Sequence, residues 1–167
     1  METTDGVREV YLKPGDFCFG EGMLRITTVL GSCVSIILWH PQLVHGGMCH
    51  YMLPSRNQQR GNQAPDGKYG DEAMELFMME LGKRHTVPAH YRVNVYGGGN
   101  MFSEPAPKGM DIGQQNIDMA LRMLDQYGFA MACEHLGSFG RRKIAFDVWS
   151  GEVDLIHIDH RKQVAHG

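Results

Sequence analysis

The sequence lacks the features that mark several large functional classes. Lys and Arg number 16 against 19 Asp and Glu, and only 141–143 places three basic residues together, so nucleic acid is not an expected partner. No apolar run approaches the ~18 residues of a membrane span. Residues 1–10 also lack the apolar stretch of a signal peptide. We therefore expect a cytoplasmic protein that neither binds nucleic acid nor inserts into a membrane.

Cysteine is also scarce. The four cysteines are widely spaced and form no CxxC pair, so we expect free thiols, with packing as the default role of each. The metal-binding spacing HExxH is missing as well. Cys49 and His50 are strand neighbours that point to opposite faces of a sheet, so they cannot readily share one metal. We predict neither a metal nor an organic cofactor.

The composition that remains, 43% hydrophobic and 21% charged residues over 167 positions, suits a globular protein. We predict a single domain over 1–167, with its core at about 21–159 and short extensions at both ends. Apolar periodicity predicts strands at 21–30, 34–39, 48–53, 92–96, 143–149 and 152–158, the last two as a hairpin, and helices at 71–81 and 113–127. Strands predominate, so the fold class is a layered α/β or α+β domain.

One cysteine stands at a position suited to chemistry. Cys33 follows Gly31 and Ser32 at a break between two apolar strands, where small residues expose backbone N–H groups that could form an oxyanion hole. A catalytic thiol needs a base, and His50 is the histidine that lies in an apolar strand near Cys33 along the chain. A hydrogen bond, a ligand role and catalysis all remain open for His50 at this stage.

A glycine run follows the predicted strand 92–96. Gly97, Gly98 and Gly99 lack the GxGxxG spacing and the Lys-Ser/Thr pair of nucleotide-binding loops. Two interpretations stay open, a plain turn and a loop that lets a protein substrate approach closely. Asn100 and Phe102 belong to the same loop, and an exposed Phe102 could anchor a partner.

Several spaced motifs resemble the CheD family of chemoreceptor glutamine deamidases, and they extend from Arg25 to Ile158. They are LGSCVSIILWHP, GGMCHYMLP, KYGDEAM, YGGGNMF, IGQQN and FGRRKIAFDVWSGEV. The resemblance implies hydrolysis of glutamine side-chain amides on the cytoplasmic helices of methyl-accepting chemotaxis receptors. It also implies a mixed, strand-rich β-sandwich layered α/β/β/α, similar to the toxin-type cysteine deamidases, and a CheC-type phosphatase as a possible further partner.

The family's catalytic cysteine, histidine and threonine fall on Cys33, His50 and Thr27. We expect the Cys33 thiolate to attack the amide carbon, His50 to transfer protons, and Thr27 to orient the imidazole before water hydrolyses the thioester. Thr28 should face the other way and be dispensable. Ser32 and Gly31 support the oxyanion, and Gly98, Gly99, Asn100 and Phe102 contact the substrate or partner.

Two alternatives to deamidation stay open. The chain could be a binding module that regulates a chemotaxis phosphatase or receptor without turnover. It could also catalyse a related acyl reaction, such as receptor methyl-ester hydrolysis or transamidation, because the thioester step is shared.

Overall fold

A computed structural model describes residues 6–102, 104–105 and 111–161. The described chain forms nine strands, two α-helices and a short 3-10 helix at Pro88–His90. The strands are β1 (Arg8–Tyr11), β2 (Phe17–Glu21), β3 (Leu24–Leu30), β4 (Val34–His40), β5 (His45–Cys49), β6 (Arg92–Gly97), β7 (Met131–Leu136), β8 (Arg141–Asp147) and β9 (Val153–Ile158). The helices are α1 (Gly70–Lys83) and α2 (Ile112–Tyr127). Neither described helix is long and apolar enough to cross a membrane.

The strands form two mixed sheets. One sheet has the order β1-β3-β8-β9 and the other β2-β5-β4-β6-β7. The β1–β3 and β6–β7 pairs are parallel, and the other pairs are antiparallel. The strand-rich α+β prediction is confirmed, as is the hairpin of β8 and β9, in which Phe146 pairs with Val153.

The layer order differs from the α/β/β/α prediction. Both helices pack on the outer face of the five-stranded sheet, where Phe77, Ile117 and Leu38 belong to one core cluster. A second cluster, which includes Ile26, Met48 and Phe146, fills the space between the sheets. The outer face of the four-stranded sheet carries exposed side chains such as Lys143, which need no covering helix. The described chain therefore has three layers.

The core also begins earlier than the predicted boundary at residue 21. Strand β1 is in the four-stranded sheet, and β2 forms an edge of the five-stranded sheet. Strand β5 ends at Cys49, whereas the predicted strand ran over 48–53. Strand β7 was not predicted, because a short edge strand carries little alternation of apolar and polar residues. The similarity to toxin-type deamidases stays a prediction.

Two local signals explain the limits of α2, which bears on the site described below. The Asp111 side chain accepts a hydrogen bond from Gln114 N, so it satisfies one of the unpaired N–H groups at the helix start. Gly128 ends the helix in the left-handed conformation, with a φ of 86°. The first turn of the helix lies beside the glycine run, where Gly113 packs against the carbonyl groups of Gly98 and Gly99.

Candidate active site

The regular backbone pairing of β4 with β5 is interrupted at His50. The pairing of Ile37 with Met48 sets the register, and a bridge between Val34 and Tyr51 continues it beyond the interruption. Between these points, Ile36 N donates to the Cys49 thiol at 3.3 Å. The His50 carbonyl accepts from Gly15 N, at 2.7 Å, outside this pairing.

The side chains of Cys49 and His50 lie in different environments. Cys49 is fully buried in the core cluster beneath the helices, and burial raises the pKa of its thiol to about 12. His50 lies on the opposite face, towards the four-stranded sheet, where the partly buried Cys33 packs against the inter-sheet cluster. The two neighbours lie on opposite faces, as strand alternation predicts, but His50 Nε2 makes no hydrogen bond to Cys33 in the described structure, so the catalytic pairing of the two residues stays a prediction.

The imidazole of His50 is held in one tautomer. Its Nδ1 lies 2.7 Å from the Thr28 hydroxyl, and that hydroxyl donates to the Leu12 carbonyl at 2.8 Å. A hydroxyl has a single proton, so Thr28 accepts from His50 Nδ1–H. The buried Nε2 then carries the lone pair, and it has no hydrogen-bond partner among the described residues. A neutral ring nitrogen of this kind is able to accept a proton.

The orienting threonine is Thr28, and the prediction that Thr27 makes this hydrogen bond is wrong. Leu24, Ile26, Thr28 and Leu30 are the inward positions of β3 and are all buried. Thr27 alternates with them and is only half-buried, on the other face of the strand. The family pattern selected Thr27 by its spacing from Cys33. The alternation of side chains along β3 instead brings the Thr28 hydroxyl to His50.

The protonation states at neutral pH follow from burial. Desolvation lowers the pKa of His50 to about 4, because burial disfavours the imidazolium. Desolvation also raises the pKa of the Cys33 thiol. At neutral pH these shifts favour a thiol at Cys33 and a neutral imidazole at His50.

The turn that carries Cys33 is held by its carbonyl groups. The Gly31 carbonyl accepts from Gly99 N and the Cys33 carbonyl accepts from Gly98 N, both at 2.9 Å. In the described part of the chain, the N–H groups of Ser32 and Cys33 donate to no acceptor. Of the predicted oxyanion support, Ser32 thus offers a backbone amide that is available to an oxyanion, together with the amide of Cys33, whereas Gly31 contributes through its carbonyl to the turn.

The glycine run packs against this turn. A Cβ at Gly97 would lie 2.2 Å from the Cys33 carbonyl oxygen, and one at Gly98 would lie 2.4 Å from Ile117. Both glycines and Gly99 are buried, so close packing explains the run. Gly98 and Gly99 therefore hold the backbone of the turn, and their contact with a substrate or partner stays a prediction.

A cleft of about 220 Å³ opens beside the turn that carries Cys33. Phe102 at its rim is 65% exposed, and Asn100 fixes the backbone there by accepting from Phe102 N at 2.8 Å. The cleft is lined by Ser32, Gly99, Asn100, Met101, Phe102, Asp111, Ile112 and Gly113. Of the four residues predicted for substrate or partner contact, Asn100 and Phe102 are therefore the ones on the surface.

Comparison with known proteins places this architecture in a family. The family model described as CheD chemotactic sensory transduction matches residues 52–157. The chain is 49% identical over 149 residues to the probable chemoreceptor glutamine deamidase CheD 3 of Dechloromonas aromatica, covering 89% of this chain and 87% of that protein. The chain belongs to the CheD family.

Two further CheD relatives also match over the segment that carries Cys33. The probable chemoreceptor glutamine deamidase of Pseudomonas savastanoi pv. phaseolicola is 42% identical, covering 94% of this chain and 89% of its own. A relative from Leptospira interrogans is 37% identical over 93% of this chain and 96% of its own. The family model begins at Met52, but these longer matches include the segment that carries Cys33 and His50.

Sequence reasoning missed a polar residue at the centre of this CheD site. Asn116 is fully buried in α2, and its Nδ2 donates to the carbonyl groups of Ser32, at 3.0 Å, and Met52, at 2.9 Å. A signal was present, because Asn116 is a polar residue on the helix face that also buries Ile117 and Ala120. Ser35 was missed as well: its buried hydroxyl has no partner among the described residues.

No group of three or more His, Cys, Asp or Glu side chains within the described ranges is arranged to hold a metal ion. The thiols of Cys33 and Cys49 are on different faces of the same sheet.

Proposed function

We propose that this CheD chain hydrolyses selected glutamine side chains on methyl-accepting chemotaxis receptors to glutamate, in the cytoplasm, with Cys33 as the nucleophile. The observation that carries the proposal is the His50 ring. Its Nδ1 is fixed by Thr28 and its Nε2 lacks a protein partner, on the sheet face that also holds Cys33. A histidine held in this way is suited to accept a thiol proton.

The first half-reaction forms a thioester. The proton of the Cys33 thiol passes to His50 Nε2 as sulfur attacks the amide carbon of the glutamine side chain. The tetrahedral oxyanion accepts hydrogen bonds from the N–H groups of Ser32 and Cys33, which lack other acceptors. The imidazolium then returns its proton to the amide nitrogen, the C–N bond breaks, and ammonia leaves.

The second half-reaction restores the enzyme. His50 Nε2 accepts a proton from water as its oxygen attacks the thioester carbon, and the same two amides bind the second oxyanion. The C–S bond breaks, the Cys33 sulfur takes the proton back from His50 Nε2, and the new carboxyl group loses its remaining proton to solvent as glutamate is released. Every proton transfer uses Nε2, so the Thr28 hydroxyl acts only by holding Nδ1–H. Neither half-reaction requires a cofactor.

The cleft beside the turn is our proposed contact with the receptor helix. Met101, Phe102 and Ile112 give its rim an apolar surface, and Ser32 joins it to the nucleophile turn. An apolar rim around a polar reacting centre suits an amphipathic helix that presents one glutamine. Binding of a CheC-type phosphatase stays a prediction of the family resemblance.

The test is deamidation of purified receptor cytoplasmic fragments, followed by ammonia release and by peptide mass at each glutamine. We expect Cys33→Ala to abolish both signals. Cys133→Ala removes an exposed thiol on β7 that has no role in the proposed chemistry and should retain activity. Full activity in Cys33→Ala would refute the nucleophile.

The same assay separates the two alternatives. Receptor binding without ammonia release by the wild-type chain would favour a non-catalytic module. Methanol release from methylated receptor fragments, with no ammonia from glutamine fragments, would favour a methylesterase.

A further inference from the structure

Asn116 links the nucleophile strand to the strand of the base. Its side-chain amide has two protons, and each has an acceptor: the Ser32 carbonyl at 3.0 Å and the Met52 carbonyl at 2.9 Å. Ser32 directly precedes the nucleophile, and Met52 lies two residues after His50. The register of the Val34–Tyr51 bridge places Met52 opposite Cys33.

The bond to Ser32 sets the direction of the candidate oxyanion donor. The Ser32 carbonyl and the Cys33 N–H belong to one planar peptide, in which the two groups point in opposite directions. Anchoring the carbonyl towards α2 therefore turns the Cys33 N–H away from the helix. A hydrogen bond to a peptide carbonyl also polarises the N–H of the same peptide, which strengthens it as a donor.

The buried position of Asn116 makes this orientation specific. The residue is fully buried, and its own backbone carbonyl accepts from the Tyr51 hydroxyl, so the helix cannot slide past the nucleophile turn without losing that bond. Its Oδ1 has no partner among the described residues. A flipped amide would place that oxygen against two carbonyl oxygens, so the contacts require Nδ2 to face the turn.

We propose that Asn116 is a positioning residue for the deamidation, which holds the Ser32–Cys33 peptide so that the Cys33 N–H stabilises the oxyanion. This inference rests on the proposed function. It goes further by assigning a residue outside the Cys–His–Thr set, on a helix, to stabilisation of the tetrahedral intermediate.

The test uses Asn116→Asp, which keeps the size of the side chain but places an oxygen where Nδ2 donates. The matched control is Gln114→Glu, the same kind of change at an exposed position on the same helix. We expect kcat of the Asn116 variant to fall about 100-fold, the usual effect of losing one oxyanion donor, with KM within a few-fold of wild type. The control should keep wild-type kcat.

Two further measurements distinguish positioning from general damage. A glutamine-analogue peptide aldehyde forms a hemithioacetal with Cys33 whose oxygen needs the oxyanion donors, so its affinity should fall in parallel with kcat. Alkylation of Cys33 by iodoacetamide needs no oxyanion donor and should keep its wild-type rate. Unchanged kcat, or equal losses in aldehyde affinity and alkylation rate, would overturn the proposal.

A second variant covers the case in which Asn116→Asp does not fold. Asn116→Ser retains one donor in a smaller side chain, and its kcat and aldehyde affinity should fall together by a lesser factor while alkylation is unchanged. The wild-type assay keeps the two claims separate. If wild-type protein releases no ammonia the deamidase function fails, whereas active wild type with an unaffected Asn116→Ser variant refutes only the positioning role.

Discussion

Two buried histidines lie at the two ends of β5, and they differ in whether the ring Nε2 has a hydrogen-bond partner among the described residues. His45 opens the strand, and its Nε2 lies 2.7 Å from the Tyr91 hydroxyl, which in turn lies 2.8 Å from the Thr86 hydroxyl. His50 follows the end of the strand, with Nδ1 bonded to Thr28 and Nε2 without a described partner. Desolvation is the main cause of a lowered pKa in both.

The comparison shows that burial and a lowered pKa do not identify a catalytic histidine. The Nε2 of His45 is occupied by a protein hydroxyl, so that network is complete within the fold. The Nε2 of His50 is the buried ring nitrogen left for a substrate or thiol. An unsatisfied buried polar atom costs stability, and such a cost is expected where the structure serves a reaction.

Exchanging each ring for an amide is the strongest test of this contrast. We expect His50→Gln to reduce kcat by about 10²–10⁴-fold, because it removes the general base. His45→Gln should leave kcat within a few-fold and lower the free energy of unfolding, since its hydroxyl network is lost. Steady-state ammonia release and urea denaturation measure the two effects. Equal losses of kcat in the two variants would contradict the distinction.

The second test concerns the hydroxyl that orients His50. Thr28→Val keeps the shape of the side chain and removes the acceptor of Nδ1–H, so we expect kcat to fall about tenfold to a hundredfold, part of the general-base contribution. Thr27→Val is the matched control on the same strand and should have little effect. The opposite result, a large loss in Thr27→Val alone, would restore the threonine that the family spacing suggests.

The error at Thr27 shows what the sequence could have supplied. Leu24, Ile26 and Leu30 are in phase along β3, and this alternation already places Thr28 on the buried face. The break before Cys33 and the histidine in an apolar segment were local signals, and the structure places both residues on the inter-sheet face. The two helices were also predicted to within a few residues of their observed ends.

Other features depended on contacts between distant segments. Asn116 is 84 residues from Ser32 and 64 from Met52, so no local pattern could name its acceptors. Strand order was equally inaccessible, because β1 pairs in parallel with β3 while β2 joins the other sheet. Side-chain periodicity states which face of a strand is buried but not which strand lies beside it.

A third test uses the pH dependence of stability. The pKa of His50 is about 4 in the fold against an ordinary 6.5, so the unfolded chain takes up its proton first as the pH falls. Stability is therefore lost below pH 6.5, by about 1.4 kcal/mol per pH unit, or about 2 kcal/mol by pH 5. When urea denaturation at pH 5 is compared with urea denaturation above pH 6.5, the free energy of unfolding of His50→Gln should fall by about 2 kcal/mol less than that of wild type. Identical losses would show that His50 does not titrate as its burial implies.

The smallest effect is expected at the outer end of the His45 network. Thr86→Val removes a half-buried hydroxyl but leaves the Tyr91 hydroxyl bonded to His45, so the free energy of unfolding should fall by only about 1 kcal/mol. The same substitution at Thr28 acts on catalysis, because there the hydroxyl holds a ring whose other nitrogen is free to react. A kcat for Thr86→Val equal to wild type would confirm that the His45 network contributes to stability and not to turnover. A loss of kcat comparable to that of Thr28→Val would mean that His45 also contributes to turnover.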